Sequence, residues 1–304
     1  MNLQRVFAEP ILGGNQSKRP QTMAYNISNL ELKAAAQKLP PSPQIFAKLN
    51  KLLKDRNTSS KSIVNLVNTD PSLTAKVLKI SNSMAFSSGT AVDSLEQAIS
   101  RIGFAELFKV VGLAAASNVF ARRNYTYGID GWHFWENSVT SGLAMEALAK
   151  ASGIDEKEAY TLGLLRTMGK TIVDACSQKF IVPPKFKASD ETPLLEWEQE
   201  NLGVTNPEAA AIVLEAWHFP EVAIEALRYQ YAPEQAPTKN PHAYLLALSG
   251  AITENLGKGA PGEKSYWTIT QKRMKEAGVD INALRAANRE VKERIETLSG
   301  QLAA

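Results

Sequence analysis

One cysteine and three histidines stand in 304 residues. The lone thiol, Cys176, has no second cysteine for an internal disulfide and cannot anchor a Cys-based zinc site. It falls in an apolar helical stretch, where a buried, inert thiol is expected. His133, His218 and His242 are too few for a His-rich multinuclear centre, and no two stand four apart as a chelating helical pair. Each reads as a structural or surface histidine. Runs of one charge sign are absent too. The 34 basic and 31 acidic residues interleave to a formal net charge of +3, too mild to call for nucleic acid or an anionic membrane. Lys272-Arg273 and the basic residues from Arg285 to Arg294 alternate with acids, as on a solvated helical face. The longest apolar run, Val110 to Ala116, falls far short of the about 20 residues a membrane helix needs. No apolar leader with a small-residue cleavage site opens the chain, so a cytoplasmic protein without a membrane span is expected. Strand alternation is weak throughout, no Gly-rich phosphate loop follows a strand, and no repeat or low-complexity tract is present. Nothing calls for a cofactor.

What is present is helical. Hydrophobic residues make up 44% and charged residues 21%, an ordinary globular balance. Residues 1–27, with Gly13-Gly14 and Arg19-Pro20, carry turn chemistry and no periodicity, and read as a loosely ordered extension or an interaction arm. After the breaks at Pro40, Pro41 and Pro43, Ile45, Leu49, Leu52 and Leu53 recur at helical spacing. Thr58-Ser59-Ser60 offers an N-cap, and Asp70-Pro71 is a strong helix start. Further helices are expected at 94–102, 104–121, 131–151, 191–201, 206–217, 220–230 and 241–256. Asp155 should cap a helix whose buried stripe is Leu165, Met168, Ile172 and Cys176. From Asp280 to Ser299, Leu284, Val291 and Leu298 stand seven apart, with Ala287 and Ile295 on the same side. That seam either packs on the body of the protein or pairs with a second copy, a homodimer through 281–298.

Several ordered motifs resemble the HDOD domain, the HD-related output domain. They are Leu39-Pro40-Pro41-Ser42-Pro43, the block from Ile63 to Ser83 around Asp70-Pro71-Ser72-Leu73, Ser94 to Gly103, Phe134-Trp135-Glu136-Asn137-Ser138, Gly163 to Lys170, and Glu225-Ala226-Leu227-Arg228-Tyr229. The resemblance spans about residues 35–235. It implies an all-α, multi-helix orthogonal bundle with two helical sub-bundles, related to the HD metal-dependent phosphohydrolases. The expected layout is a domain at 28–235, divided into an N-terminal helical part (28–125) and an HD-like part (126–235), with C-terminal helices at 236–304 completing or flanking it. In bacteria such modules occur in signalling proteins, often beside receiver or cyclic-dinucleotide domains, neither of which is read in this sequence.

HD hydrolases hold divalent metals on His and Asp side chains, and the metal activates a water against a phosphate ester. The resemblance places those ligands on residues of the wrong kind. Asn137 stands where a His is expected after Trp135-Glu136. Arg166-Thr167 replaces the His-Asp pair, a later His falls near Asn206, a His-His pair is Gln230-Tyr231, and a last Asp aligns loosely with Gly250. Arginine cannot ligate a cation, and its charge repels one. No catalytic residue and no metal ligand is therefore assigned. Asn137, Arg166, Thr167, Lys170, Asn206, Gln230 and Tyr231 remain as a vestigial pocket. With Arg166 and Lys170 four apart, such a pocket would take an anion or nucleotide, unless both cations pair with acids such as Glu146, Asp174 or Glu215. The expected function is a non-catalytic signal-transduction module working through a protein partner. A metal-dependent phosphohydrolase or phosphodiesterase, and an anion or nucleotide sensor, are the alternatives.

Overall fold

The structure is a computed structural model that describes residues 25–40, 42–55, 57–83, 91–120, 122–189 and 192–302. Helices account for its architecture. Among the described residues the nearest approach to a sheet is one antiparallel bridge between Asn124 and Ile129.

A first group comprises α2 (Ser42–Lys54), α3 (Ser60–Val67), α4 (Pro71–Ser81) and α5 (Leu95–Phe120), all packed on α5. Local chemistry starts these helices where the sequence places their caps. Ser59 Oγ accepts the Ser62 amide at 3.2 Å, and Asp70 Oδ1 accepts that of Leu73 at 3.0 Å, with Pro71 opening the helix. Helix α5 merges the two stretches expected at 94–102 and 104–121. The chain bends between them at Gly103, whose φ of 75° is open to glycine and costly for other residues. By length and composition α5 could cross a membrane, contrary to the short apolar run that the sequence suggests. More than half of the qualifying stretch is buried against other helices, which makes it a core helix.

The second group centres on α6 (Gly131–Ser152), buried continuously from Phe134 to Ala149. Around it lie α7 (Glu156–Leu165), α8 (Met168–Ser177), α9 (Leu194–Leu202), α10 (Asn206–Ala216), α11 (Glu221–Arg228) and α12 (Pro241–Asn255). A short α13 (Gln271–Ala277) and the long α14 (Ile281–Leu302) follow. Helix α13 is absent from the sequence-level expectation.

Two expectations change. Helix α1 (Asn29–Gln37), placed by sequence with the N-terminal part, packs instead on α8 and α10. The strand-like lead-in before it is tied there as well: the amides of Tyr25 and Ile27 donate to Asn201 and Leu202 carbonyls, and Tyr25 stacks on Phe180. The rest of the N-terminal extension, 1–24, lies outside the described residues. The single helix expected after Asp155 is two, with the turn at Arg166-Thr167 dividing α7 from α8. The seam residues Leu284, Ala287, Val291, Ile295 and Leu298 are all buried, with α14 lying on α6, so the seam packs on the body of the protein, the first of its two expected readings. One continuous apolar cluster runs through both groups and includes this seam.

Candidate functional site

The seven pocket residues come from five places in the fold. Asn137 is on α6, Arg166 and Thr167 form the α7–α8 turn, Lys170 is on α8, Asn206 opens α10, and Gln230-Tyr231 follow α11. Two close approaches bring the backbones together. A Cβ on Gly163 would lie 2.6 Å from the Gly142 Cα, and one on Gly169 would lie 1.8 Å from the Asn206 carbonyl oxygen. Glycine is the residue that lets α7 meet α6 and α8 meet α10 this closely.

All seven side chains are buried, and six of them are joined in one network. Arg166 donates from Nη2 to Asn137 Oδ1 at 2.7 Å and from Nε to Ser141 Oγ at 3.1 Å. Lys170 Nζ donates to the Tyr231 hydroxyl at 3.0 Å, and that oxygen lies 3.3 Å from Asn206 Oδ1. Gln230 Nε2 donates to the Arg166 carbonyl at 3.3 Å. Thr167 stands apart, its Oγ1 buried without a hydrogen-bond partner.

At the centre lies a residue that the sequence reading did not single out. Glu263 is fully buried, accepts Arg166 Nη1 on Oε2 at 2.7 Å, and takes Lys170 Nζ on Oε1. Tyr231 donates to the same Oε1 at 2.8 Å. Burial opposes the ionised form of Glu263, but the Arg166 and Lys170 charges outweigh it and hold the carboxyl at about 2. The two cations share this one carboxylate, so the expected partners were the wrong ones. Glu146 pairs with Lys109 and Arg294, Asp174 accepts from Thr126, and Glu215 pairs with Arg228. Although Arg166 and Lys170 are four apart, the turn keeps them off a single helix, yet both reach Glu263.

Glu263 arrives on the strap between α12 and α13. Helix α6 pins that strap: Asn137 Nδ2 donates to the Lys258 carbonyl at 2.6 Å, a His133 ring nitrogen lies 2.8 Å from the Gly259 carbonyl, and Lys258 pairs with Glu136 at 2.7 Å. Beyond Glu263 the strap lays Trp267 over the Arg166 guanidinium, 5.1 Å from ring centroid to Cζ. The indole also fills the space beside Gly250, where a Cβ would come within 2.6 Å of its ring. The position loosely aligned with the last acidic ligand is thus occupied by an aromatic ring.

A second carboxylate stands behind Lys170. Glu198 of α9 accepts the Tyr127 hydroxyl at 2.6 Å and both the backbone and side-chain amides of Asn206. Burial raises its pKa, with Lys170 and these donors working against the rise. Glu198 carried a signal that could have found it: it shares the apolar face of α9 with Leu194, Trp197 and Leu202. Ser141 and Glu263 carried none.

A divalent metal does not fit this donor set. Among the described residues no three His, Cys, Asp or Glu side chains gather as a cation site. The one carboxylate at the centre is engaged by a guanidinium and an ammonium, and the Asn137 carbonyl oxygen also faces the guanidinium. At one position where the resemblance calls for a metal ligand, the chain supplies the Arg166 guanidinium. The space between these residues is filled by side chains.

Comparison with known proteins agrees with this architecture. The sequence model of the HDOD domain matches residues 39–233. No curated protein matches the chain. Among solved structures, an HDOD domain protein of unknown function from Geobacter sulfurreducens superposes with a TM-score of 0.65 at 16% identity, covering 88% of this chain and 98% of its own. A protein from Shewanella amazonensis SB2B, provisionally named a phosphohydrolase, gives 0.62 at 23% identity with coverage of 88% and 98%. A protein from Marinobacter aquaeolei VT8, provisionally named a signal transduction protein, gives 0.64 at 23%, covering 90% of this chain and 65% of its own. At these identities the likeness is one of fold.

Proposed function

Because this chain belongs to the HDOD domain family, we propose that it is a non-catalytic signal-transduction module that acts by binding a protein partner. The observation that supports the reading is the buried Arg166–Glu263–Lys170 triad, whose Arg166 stands where the resemblance calls for a metal ligand. A hydrolytic site needs an open coordination position and a cation that polarises water. Here the cations are tethered side chains, fully buried and already bonded to the carboxylate. A helical body of this kind transmits information through its surface and its packing, which suits a module whose output is a protein contact. The provisional naming of the Marinobacter neighbour as a signal transduction protein points the same way.

The phosphohydrolase reading draws on the resemblance to the HD hydrolases and on the provisional names of two Shewanella neighbours. Elemental analysis of the purified protein, with a bis(p-nitrophenyl) phosphate assay in added manganese, separates the two. We expect substoichiometric metal and no hydrolysis; one bound metal per chain with Mn-dependent turnover would overturn the non-catalytic reading. The partner half is tested by affinity capture from source lysate followed by reconstitution from purified components. Failure of every captured protein to bind when purified would count against it. An anion sensor built on Arg166 and Lys170 receives no support from the geometry, since both side chains are buried and committed to Glu263.

A further inference from the structure

A second feature shares no residue with the buried triad and lies where α2 meets the second helical group. A cavity of about 390 Å3 opens between α2 on one side and α1, α7 and the α10–α11 turn on the other. That volume lies within the about 300–1,000 Å3 of small-molecule sites, and such sites favour boundaries between packed units. Its floor and walls are mainly apolar, with Ala36, Leu162, Trp217, Phe219 and Ala223 among them.

The charge around the mouth is unbalanced. Lys48, Lys51 and Lys54 follow one another every three residues along α2 and all line the cavity, whereas Glu158 of α7 is the acid lining it. Glu158 pairs with Lys54 at 3.3 Å across the opening, while among the described residues neither Lys48 nor Lys51 forms a salt bridge. Asn50, also in the lining, buries its side-chain oxygen without a hydrogen-bond partner. A buried acceptor left unpaired is costly and asks for a donor from whatever enters. The turn that presents Trp217 and Phe219 holds His218 at a φ of 58°, a left-handed conformation uncommon outside glycine, and aims these residues at the cavity rim.

We propose that this cavity is a binding site for a small aromatic anion. The ring packs against Trp217 and Phe219, the anionic group meets Lys48 and Lys51, and a ring N–H or O–H reaches Asn50. Because the walls come from α2 on one side and from α1, α7 and the α10–α11 turn on the other, occupancy ties the two helical groups together. That gives the module an input distinct from its protein-binding output. The site stands whether or not the partner reading holds, since none of its residues belongs to the buried network.

The test uses the full chain and two dyes that share a naphthylamine ring system: 1-anilinonaphthalene-8-sulfonate, an anion, and N-phenyl-1-naphthylamine, which is neutral. The sulfonate should bind saturably, and the neutral dye about tenfold or more weakly, the worth of one to two charge-assisted contacts. Lys48→Ala/Lys51→Ala should weaken the sulfonate by about tenfold, while Glu158→Gln, which frees Lys54, should tighten it by up to about fivefold. Adenosine monophosphate should displace the dye and decanoate at equal concentration should not. Unsaturable dye binding, equal affinity for both dyes, indifference to the lysine pair, or displacement by decanoate alone would each overturn the proposal. Lys48 and Lys51 are exposed, so circular dichroism and thermal unfolding of the double variant should match the parent and keep a negative result interpretable.

Discussion

Two clusters of lysine and glutamate in this protein have similar composition and opposite character. In the triad, Arg166 and Lys170 are 1% and 0% exposed and converge on one fully buried carboxylate. In the α2 cleft, Lys54 meets Glu158 with 48% and 24% of the side chains exposed, beside lysines that pair with no acid among the described residues. Burial sets the difference. A buried charge must be matched at once or the fold does not tolerate it, whereas a wet charge can wait for a partner. The first cluster is therefore a completed internal structure, and the second retains binding capacity.

The sharpest way to break that comparison is to remove the shared carboxylate. Glu263→Gln leaves two buried cations without their shared anion, and the expected loss of stability is about 3–5 kcal/mol in urea unfolding. The triple change Arg166→Met, Lys170→Met, Glu263→Leu removes all three charges together and should lie close to the parent, or above it. If Glu263→Gln costs less than about 1 kcal/mol, the triad behaves like a surface pair and the contrast collapses.

Acid offers a reversible version. With its folded-state carboxyl near 2 and an ordinary value of 4.5, Glu263 stabilises the fold fully above the ordinary value. That contribution, about 3 kcal/mol, is lost as pH falls through the window between the two. Glu198, raised by burial, acts in the opposite sense because its protonated form is the one that the fold favours. Stability measured by urea against pH should fall toward acid in the parent, and the fall should be much shallower in Glu263→Gln.

Next in size is the Trp267 contact. Gly250→Ala pushes a methyl into the indole and should cost about 1–3 kcal/mol by thermal unfolding. The neighbour there is a ring wedged between Tyr231 and the Arg166 guanidinium, with little room to give. A neutral result would mean that the strap moves freely over the triad.

The unequal legibility of these two clusters in the sequence has a physical cause. Periodicity and caps are local, so Asp70-Pro71, Asp155 and the seam from Leu284 to Leu298 could be read directly as helix starts and a buried face. The pocket residues Asn137, Arg166, Lys170, Asn206, Gln230 and Tyr231 could be named because the motifs around them keep their order, and the structure gathers them. Glu263 could not, because it stands 97 residues from Arg166, beyond the segment that matches the family, in a strap with no periodicity. The break at Arg166-Thr167 escaped for the converse reason: the apolar stripe through Leu165, Met168, Ile172 and Cys176 keeps helical spacing across a turn that carries no proline and no glycine of its own. The α2 cleft needed four elements in place before its lysines could be seen together.

The smallest expected effect closes the comparison from the other side. Lys54→Ala or Glu158→Gln breaks an ion pair between two helices, yet both partners keep access to water. The expected change in urea stability is within about 0.2–1 kcal/mol, shrinking further as salt is raised toward about 1 M. The buried triad should be far less salt-sensitive, because counterions do not reach it. Running Glu263→Gln and Glu158→Gln side by side at low and high salt thus separates the two environments using one kind of substitution. A Glu158→Gln loss as large and as salt-insensitive as that of Glu263→Gln would mean that the cleft is closed, and with it the site that its lysines are proposed to form.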